Sequence, residues 1–307
     1  MRLALIGLGK MGGNMARRLR RGGIEVVGYN RSAAIVEQLA NEEGMLPAGG
    51  LRGAVEQLTA PRVVWLMLPA GQATEQTLHE LVPMLEAGDI VVDGGNSNYH
   101  DTQRRGQQLA EHDLHFVDVG TSGGVWGLDN GYCMMVGGTQ AAIDTLAPAL
   151  KVLAPTPETG WAHVGPTGAG HFTKMVHNGI EYGMMQAFAE GLALIRGKRE
   201  FNVDLAQLAE TWRHASVVRS WLLDLIADGL KQDQSLADLA PVVADSGEGR
   251  WTAIEAIEQG VAAPVMTQAL FMRFASQDSE GYANRLLSMM RHAFGGHTVA
   301  KTEGDHA

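Results

Sequence analysis

Over roughly the first half of the chain, short apolar runs alternate with amphipathic stretches. "RLALIG", "EVVGYN", "RVVWLML", "DIVVDGG" and "HFVDVG" are continuous apolar runs bounded by Gly, Pro or Asn, and they predict strands covered on both faces. Between them, "NMARRLRR", "AAIVEQLA", "TEQTLHELVPML" and "TQRRGQQLAEH" carry apolar residues at helical spacing. Strand and helix alternating in this way predict an α/β fold with a parallel, doubly wound sheet. After "GWAHVGPTGAG" the strand pattern stops. From Gly168 onward the spacing is almost exclusively helical, from "HFTKMVHNGIEYGMMQAFAEGLALIRG" to "YANRLLSMMRHAF". The expected organisation is an N-terminal domain over residues 1–167, an all-α domain over 168–298 and a disordered tail over 299–307.

Composition narrows the picture. A chain of 307 residues, 45% apolar and 19% charged, is globular and long enough for two domains. Lys and Arg number 24 against 34 Asp and Glu, and the resulting net charge of −10 argues against a nucleic-acid or anionic-membrane surface. Cys133 is the single cysteine, so no intramolecular disulfide is possible, and no apolar run approaches the ~20 residues of a membrane span. These features predict a soluble, cytoplasmic protein.

Candidate chemistry begins at "GLGKMG", which places Gly7, Gly9 and Gly12 directly after the first strand and at the start of a helix. In that context the glycines have separate tasks. Gly7 makes the tight turn, Gly9 lets the backbone approach a pyrophosphate, and Gly12 lets helix and strand pack closely. With Leu8, Lys10 and Met11 they form the expected cofactor loop of a Rossmann-type domain. The second strand ends in Asn30, Arg31 and Ser32 where NAD enzymes commonly place an acid on the ribose diol. An amide does not repel a 2′-phosphate and a guanidinium can grip one, so NADP is favoured and NAD stays possible.

A second polar cluster lies in "KMVHNGIEYG". At 100° per residue, Lys174, His177, Asn178 and Glu181 share one helix face, and Phe172, Val176, Gly179, Ile180, Gly183 and Ala187 share the other. The apolar face is expected to be buried and the polar face to line a cleft. Removing a hydride from an alcohol needs a base for the hydroxyl proton, and a lysine serves when burial or nearby positive charge lowers its pKa. A carboxylic acid on the same face would suit a later protonation. No Cys, His and carboxylate cluster has metal spacing, so no metal is expected, and His163 and His214 are assigned to packing or solvent.

In order along the chain, "GLGKMG", "DGGNSNY", "TSGGVWG", "KMVHNGIEYG" and "FGGHT" resemble the motifs of decarboxylating 6-phosphogluconate dehydrogenases, and specifically their short bacterial form. The resemblance runs from residue 1 to about 298. It implies NAD(P)-dependent oxidation of 6-phosphogluconate at C3, loss of CO2 and protonation of the enediol to ribulose 5-phosphate, as in the pentose phosphate pathway and gluconate metabolism. By the same likeness Lys174 would be the general base and Glu181 the acid. Asn96, Ser122, Gly123, Gly124, His177 and Asn178 would hold the carboxylate and hydroxyls of the substrate, and Tyr182 and Arg273 its phosphate. Leu68, Pro69, Ala70 and Asn96 would line the nicotinamide. Arg291 and His297 would reach the active site of a neighbouring subunit, which implies a homodimer or homotetramer. Two departures stand out: "DSGEGRWT" lacks the lysine that long members have before Trp-Thr, for which Arg250 could substitute, and Pro69 replaces a common lysine. Rival readings are a β-hydroxyacid dehydrogenase acting on a smaller acid, or a dinucleotide-binding sensor without catalysis.

Overall fold

The computed structural model describes residues 1–296 and 298–300; His297, the side chain of Phe294 and residues 301–307 of the expected tail lie outside the described residues. The chain alternates β1 (Arg2–Ile6), α1 (Lys10–Arg21), β2 (Glu25–Tyr29), α2 (Ala33–Glu43), β3 (Leu46–Pro47), α3 (Leu51–Glu56), β4 (Val63–Leu66), α4 (Gln72–Leu81), β5 (Ile90–Asp93) and α5 (Tyr99–Ala110). It continues through β6 (His115–Ser122), α6 (Gly127–Asn130), β7 (Cys133–Gly137), α7 (Gln140–Leu153), β8 (Trp161–Gly165) and the long α8 (Ala169–Gly197). Among the described residues five α-helices follow: α9 (Leu205–Trp212), α10 (Trp221–Gln232), α11 (Glu248–Gln259), α12 (Pro264–Gln277) and α13 (Tyr282–Gly295).

The eight strands form one sheet in the order β3-β2-β1-β4-β5-β6-β7-β8. The expectation of a parallel sheet needs one correction: β7 runs antiparallel to β6, and β8 then pairs parallel with β7, so the sheet is mixed. The chain can return antiparallel here because only the short Gly123–Tyr132 segment separates the two strands, too little for a crossover helix. β3, β7 and β8 were not among the expected strands. "CMMVG" and "WAHVG" are edge-proximal, and the latter is largely exposed, which gives it no continuous apolar signature.

Side chains of the central strands divide by alternation. Leu3, Leu5, Val63, Trp65, Ile90 and Val92 join one core, while Ala4, Ile6, Val64, Leu66 and Val91 join the core on the other face. Arg18 closes the first of these layers at its edge, donating from its guanidinium to the carbonyls of Leu128, Val152, Leu153 and Ala154 at 2.6–3.1 Å. It thereby caps the C-terminal end of α7 with a cation, the sign that end of a helix favours.

Contacts divide the chain into two compact units, Met1–Ile180 and the part from Glu181 onward. The contact boundary falls within α8, because the first turns of that helix pack on β6. In the second unit the buried clusters are small: Leu205, Ala209, Leu223, Ala227 and Leu230 in one, and Tyr182, Ala253, Ala269 and Leu270 in the other. Large side chains such as Val217, Leu194, Ile257 and Tyr282 remain 69–100% exposed in the single chain.

Candidate active site

The order β3-β2-β1-β4 puts the topological switch between β1 and β4, and ligands of open α/β sheets bind beyond the carboxyl ends of strands at such a point. The three loop glycines stand there as expected. Gly7 has a φ of +94°, and a Cβ on it would collide with the carbonyl of Met67. A Cβ on Gly12 would collide with the carbonyl of Gly7, whereas one on Gly9 would meet nothing within 4 Å. The open side is thus at the residue that must admit a ligand. No side chain caps the N-terminus of α1 and its first turn holds no acid, leaving its amides and dipole available to an anion. These residues fit a dinucleotide pyrophosphate.

Asn30 does something the sequence did not reveal. Its Oδ1 accepts from the backbone N–H of Leu8 at 3.1 Å, so its amide braces the glycine turn from the end of β2. Arg31 and Ser32 beside it are exposed. Leu68, Pro69 and Ala70 follow β4; Leu68 is half-buried, and the carbonyl of Pro69 accepts from Thr74 Oγ1 at 3.0 Å.

Asn96 is exposed in the turn after β5, and its neighbours are not. Asp93, wholly buried, accepts from the N–H of Gly95 at 3.1 Å and from Ser97 Oγ at 2.8 Å. The buried Arg105 of α5 reaches the same carboxylate at 3.3 Å and Ser97 Oγ at 3.2 Å, while its Nε donates to Glu75 of α4 at 2.9 Å. Burial pushes the Glu75 carboxyl up, but hydrogen bonds and charge from Arg104 and Arg105 outweigh this and hold it below its ordinary range.

Beyond β6, Gly123 and Gly124 take φ of +125° and +54°, so the Ser122–Gly124 turn is one that other residues adopt only under strain. Asn14 of α1 donates to the carbonyl of Val125 at 3.2 Å, tying this turn to the cofactor helix. Tyr132 packs beneath it, and burial pushes its phenol up to about 12, with Arg18 acting weakly the other way.

Helix α8 begins where Asp118, buried in the middle of β6, accepts from the N–H of Gly168 and of His171, both at 2.7 Å. Two charge-assisted bonds of this kind fix the first turn. His171 is itself buried, with Nδ1 2.7 Å from Thr102 Oγ1, and that hydroxyl donates to the carbonyl of Asn98. Lys174 follows one turn later at 5% exposure. Its Nζ donates to Asn178 Oδ1 at 2.7 Å and lies 3.4 Å from His177 Nδ1, which is 3.0 Å from the same Asn178 oxygen.

The four polar residues therefore stand on one face, but the expected burial is partly reversed. Lys174 and Asn178 are buried, His177 and Glu181 are intermediate, and Ile180 on the supposed core face is 52% exposed. The reason lies in β6. A Cβ at Gly120 would collide with Lys174 Cβ and stand 2.7 Å from the Gly170 carbonyl, so the missing side chain lets the polar face lie against the sheet.

In the second unit, Tyr182 is buried with its hydroxyl 2.9 Å from Ser246 Oγ, and the Arg273 guanidinium lies 3.3 Å from the centre of its ring. Arg273 also donates to the Ala244 carbonyl at 2.9 Å, so the expected phosphate pair forms one cluster with the "DSGEGR" segment. Ser246 belongs to that cluster and was missed, because a lone serine in a polar loop carries no pattern. Arg250 is held by Asp245 at 2.8 Å. Arg291 is exposed on α13, and His297 is outside the described residues. His163 bonds backbone carbonyls of Gly138 and Gly165, and His214 pairs with Glu210, in line with the structural role assigned to both.

Family models agree with this arrangement. Residues 2–165 match the NAD binding domain of 6-phosphogluconate dehydrogenase, and residues 170–285 match the 6-phosphogluconate dehydrogenase C-terminal domain. The chain is 40% identical over 304 residues to a decarboxylating, NAD(+)-dependent 6-phosphogluconate dehydrogenase of Haloferax volcanii, covering 99% of this chain and 100% of that one. A Bacillus subtilis enzyme of the same description is 36% identical, covering 91% of this chain and 62% of the longer relative. Among solved structures, Plasmodium falciparum 6-phosphogluconate dehydrogenase, studied with NADP+ and with 6-phosphogluconate, superposes with a TM-score of 0.83 at 28% identity. That match covers 99% of this chain and 67% of the other. A Mycobacterium tuberculosis 3-hydroxyisobutyrate dehydrogenase shares the fold at a TM-score of 0.71 and 21% identity, covering 90% of this chain and 94% of the other.

Proposed function

Because the chain belongs to the 6-phosphogluconate dehydrogenase family, we propose that it oxidises 6-phosphogluconate at C3 and decarboxylates it to ribulose 5-phosphate in the pentose phosphate pathway. The carrying observation is the enclosed amine of Lys174, held by Asn178 on a helix that Asp118 and Gly120 fix to the sheet. When bound, a nicotinamide dinucleotide would supply the hydride acceptor, and the Gly7–Gly12 loop, Leu68–Ala70 and Asn96 would hold it. Lys174 takes the proton of the 3-hydroxyl as the C3 hydride departs. The C1–C2 bond of the keto acid then breaks, CO2 leaves, and Glu181 delivers a proton to C1 of the resulting enediol. Asn96, Ser122, Gly123, Gly124, His177 and Asn178 orient carboxylate and hydroxyls; Tyr182 and Arg273 bind the phosphate.

Among the described residues, no helix is long and apolar enough to cross a membrane. The exposed apolar side chains of the helical unit, including Leu287, Met289 and Met290 around Arg291, suit a homodimer or homotetramer in which Arg291 and His297 complete a neighbour's site. We place this assembly in the cytoplasm. The test is a coupled assay with purified protein: CO2 and reduced cofactor should appear in equal amounts from 6-phosphogluconate, far faster than from gluconate, and the active species should sediment as a dimer or larger. Equal turnover of gluconate would favour the β-hydroxyacid reading; cofactor binding without turnover of any sugar acid would favour a sensor.

NADP is the cofactor we assign as preferred, since the exposed Arg31 and Ser32 stand where an acid would otherwise repel a 2′-phosphate. The use of NAD+ by the Haloferax relative pulls the other way. Arg31→Ala should lower kcat/KM for NADP by about 10-fold or more, the worth of a charge-assisted hydrogen bond, and leave NAD nearly unchanged. A wild-type preference for NAD in the same Michaelis series overturns the assignment.

A further inference from the structure

We propose that Arg105 is a positioning residue, yoking the Leu68–Ala70 turn and the Asn96 turn into one rigid rim of the nicotinamide site; this deepens the proposed function and rests on it. The two turns leave the carboxyl ends of β4 and β5, which pair in parallel register, so they are neighbours on the ligand edge of the sheet. They also touch directly. A Cβ at Gly95 would stand 2.6 Å from the Leu68 carbonyl, and one at Gly94 would press on Met67 Sδ at 2.6 Å. The Gly94 N–H also donates to the Leu66 carbonyl at 2.9 Å, which ties the strand ends but not the turns beyond them.

Arg105 links the segments beyond the strand ends. Its side chain is 1% exposed and donates in two directions, to Glu75 at the start of α4 and to the Asp93–Ser97 pair at the end of β5. Glu75 follows Thr74, which holds the Pro69 carbonyl. Asp93 holds the residues on both sides of Asn96, Gly95 through its N–H and Ser97 through its hydroxyl. Asn96 is therefore an exposed side chain on a turn whose flanks hang from one buried carboxylate, and that carboxylate is oriented by a guanidinium anchored under the facing turn. A planar fork with several fixed donors suits this bridge, and an ammonium does not.

Four variants, two of them combined in a cycle, test the yoke. Arg105→Gln should lower kcat/KM for 6-phosphogluconate by about 10²-fold, the usual cost of misplacing a reacting partner by about 1 Å. Affinity for ADP-ribose, which lacks the nicotinamide ring, should change less than about 3-fold, so the ratio of dinucleotide to ADP-ribose affinity falls. In an Asn96→Ala background, Arg105→Gln should add nothing further. Should Arg105→Gln fold poorly, Ser97→Ala, which removes one hydroxyl from the same knot, should show the same pattern with smaller amplitude, and Arg105→Lys should restore little of the loss. Effects of Arg105→Gln and Asn96→Ala that multiply, or equal losses of ADP-ribose and dinucleotide binding, overturn the proposal. If wild-type protein does not turn over 6-phosphogluconate, the functional reading fails, and the affinity ratio still decides the yoke.

Discussion

Lys174→Met is expected to reduce kcat for 6-phosphogluconate by about 10³-fold or more while leaving the dissociation constant for the dinucleotide within a factor of about 3, because a positioned general base commonly contributes 10²–10⁴-fold. Methionine keeps the unbranched stem that lies against Gly120, so α8 need not move. Asn178 keeps a partner as well, since its Oδ1 is 3.0 Å from His177 Nδ1. What disappears is the nitrogen proposed to take the hydroxyl proton. Reduced-nicotinamide absorbance in single turnover measures the step, and a rate within about 10-fold of wild type would remove Lys174 from the base role. Glu181→Gln offers the contrast. Its substrate oxidation should survive as a burst of reduced cofactor, with ribulose 5-phosphate released slowly afterwards, because the step proposed for this acid comes after the hydride has left.

The pattern of apolar positions carried the sheet, the cofactor loop and the polar stripe of α8, for a shared reason. Each is a local regularity: period two, glycines at fixed offsets, or a period near 3.6. What it did not carry is set by pairs far apart in the chain. Asp118 is one acid in an apolar strand, and its task appears only when Gly168 and His171 arrive 50 and 53 residues later. Nothing local in "TQRRGQQLAEH" singles out Arg105, whose partners Asp93 and Glu75 come from other elements. The partly reversed burial of α8 has the same origin: amphipathicity says that two faces differ, but the space at Gly120 decides which one meets the sheet. The antiparallel β7 escaped because direction within a sheet is a property of connections, not of strand composition.

That dependence on Gly120 yields the second large effect. Gly120→Ala is expected to lower kcat by about 10²-fold and to destabilise the protein by about 1–3 kcal/mol, the range for an added methyl in a filled interior. The backbone gives no objection, because Gly120 is not among the residues with positive φ, and an alanine in a strand ordinarily helps by restricting the unfolded chain. The objection is steric. The new methyl would overlap Lys174 Cβ, approach Lys174 Cγ to 3.1 Å and the Gly170 carbonyl to 2.7 Å, all of them near the helix axis and none the end of a flexible side chain. Relief requires α8 to back away from β6, against the two Asp118 bonds that hold its first turn, and Lys174 retreats with it. Gly53→Ala in α3 is the control, since a Cβ there meets nothing within 4 Å and alanine should be neutral or stabilising by about 0.5–1 kcal/mol. Thermal unfolding and steady-state kinetics on the two variants decide the matter. A Gly120→Ala protein as stable and as fast as wild type would mean that Lys174 is not seated by the sheet, and the base would have to be held in place by something other than the absence of a side chain.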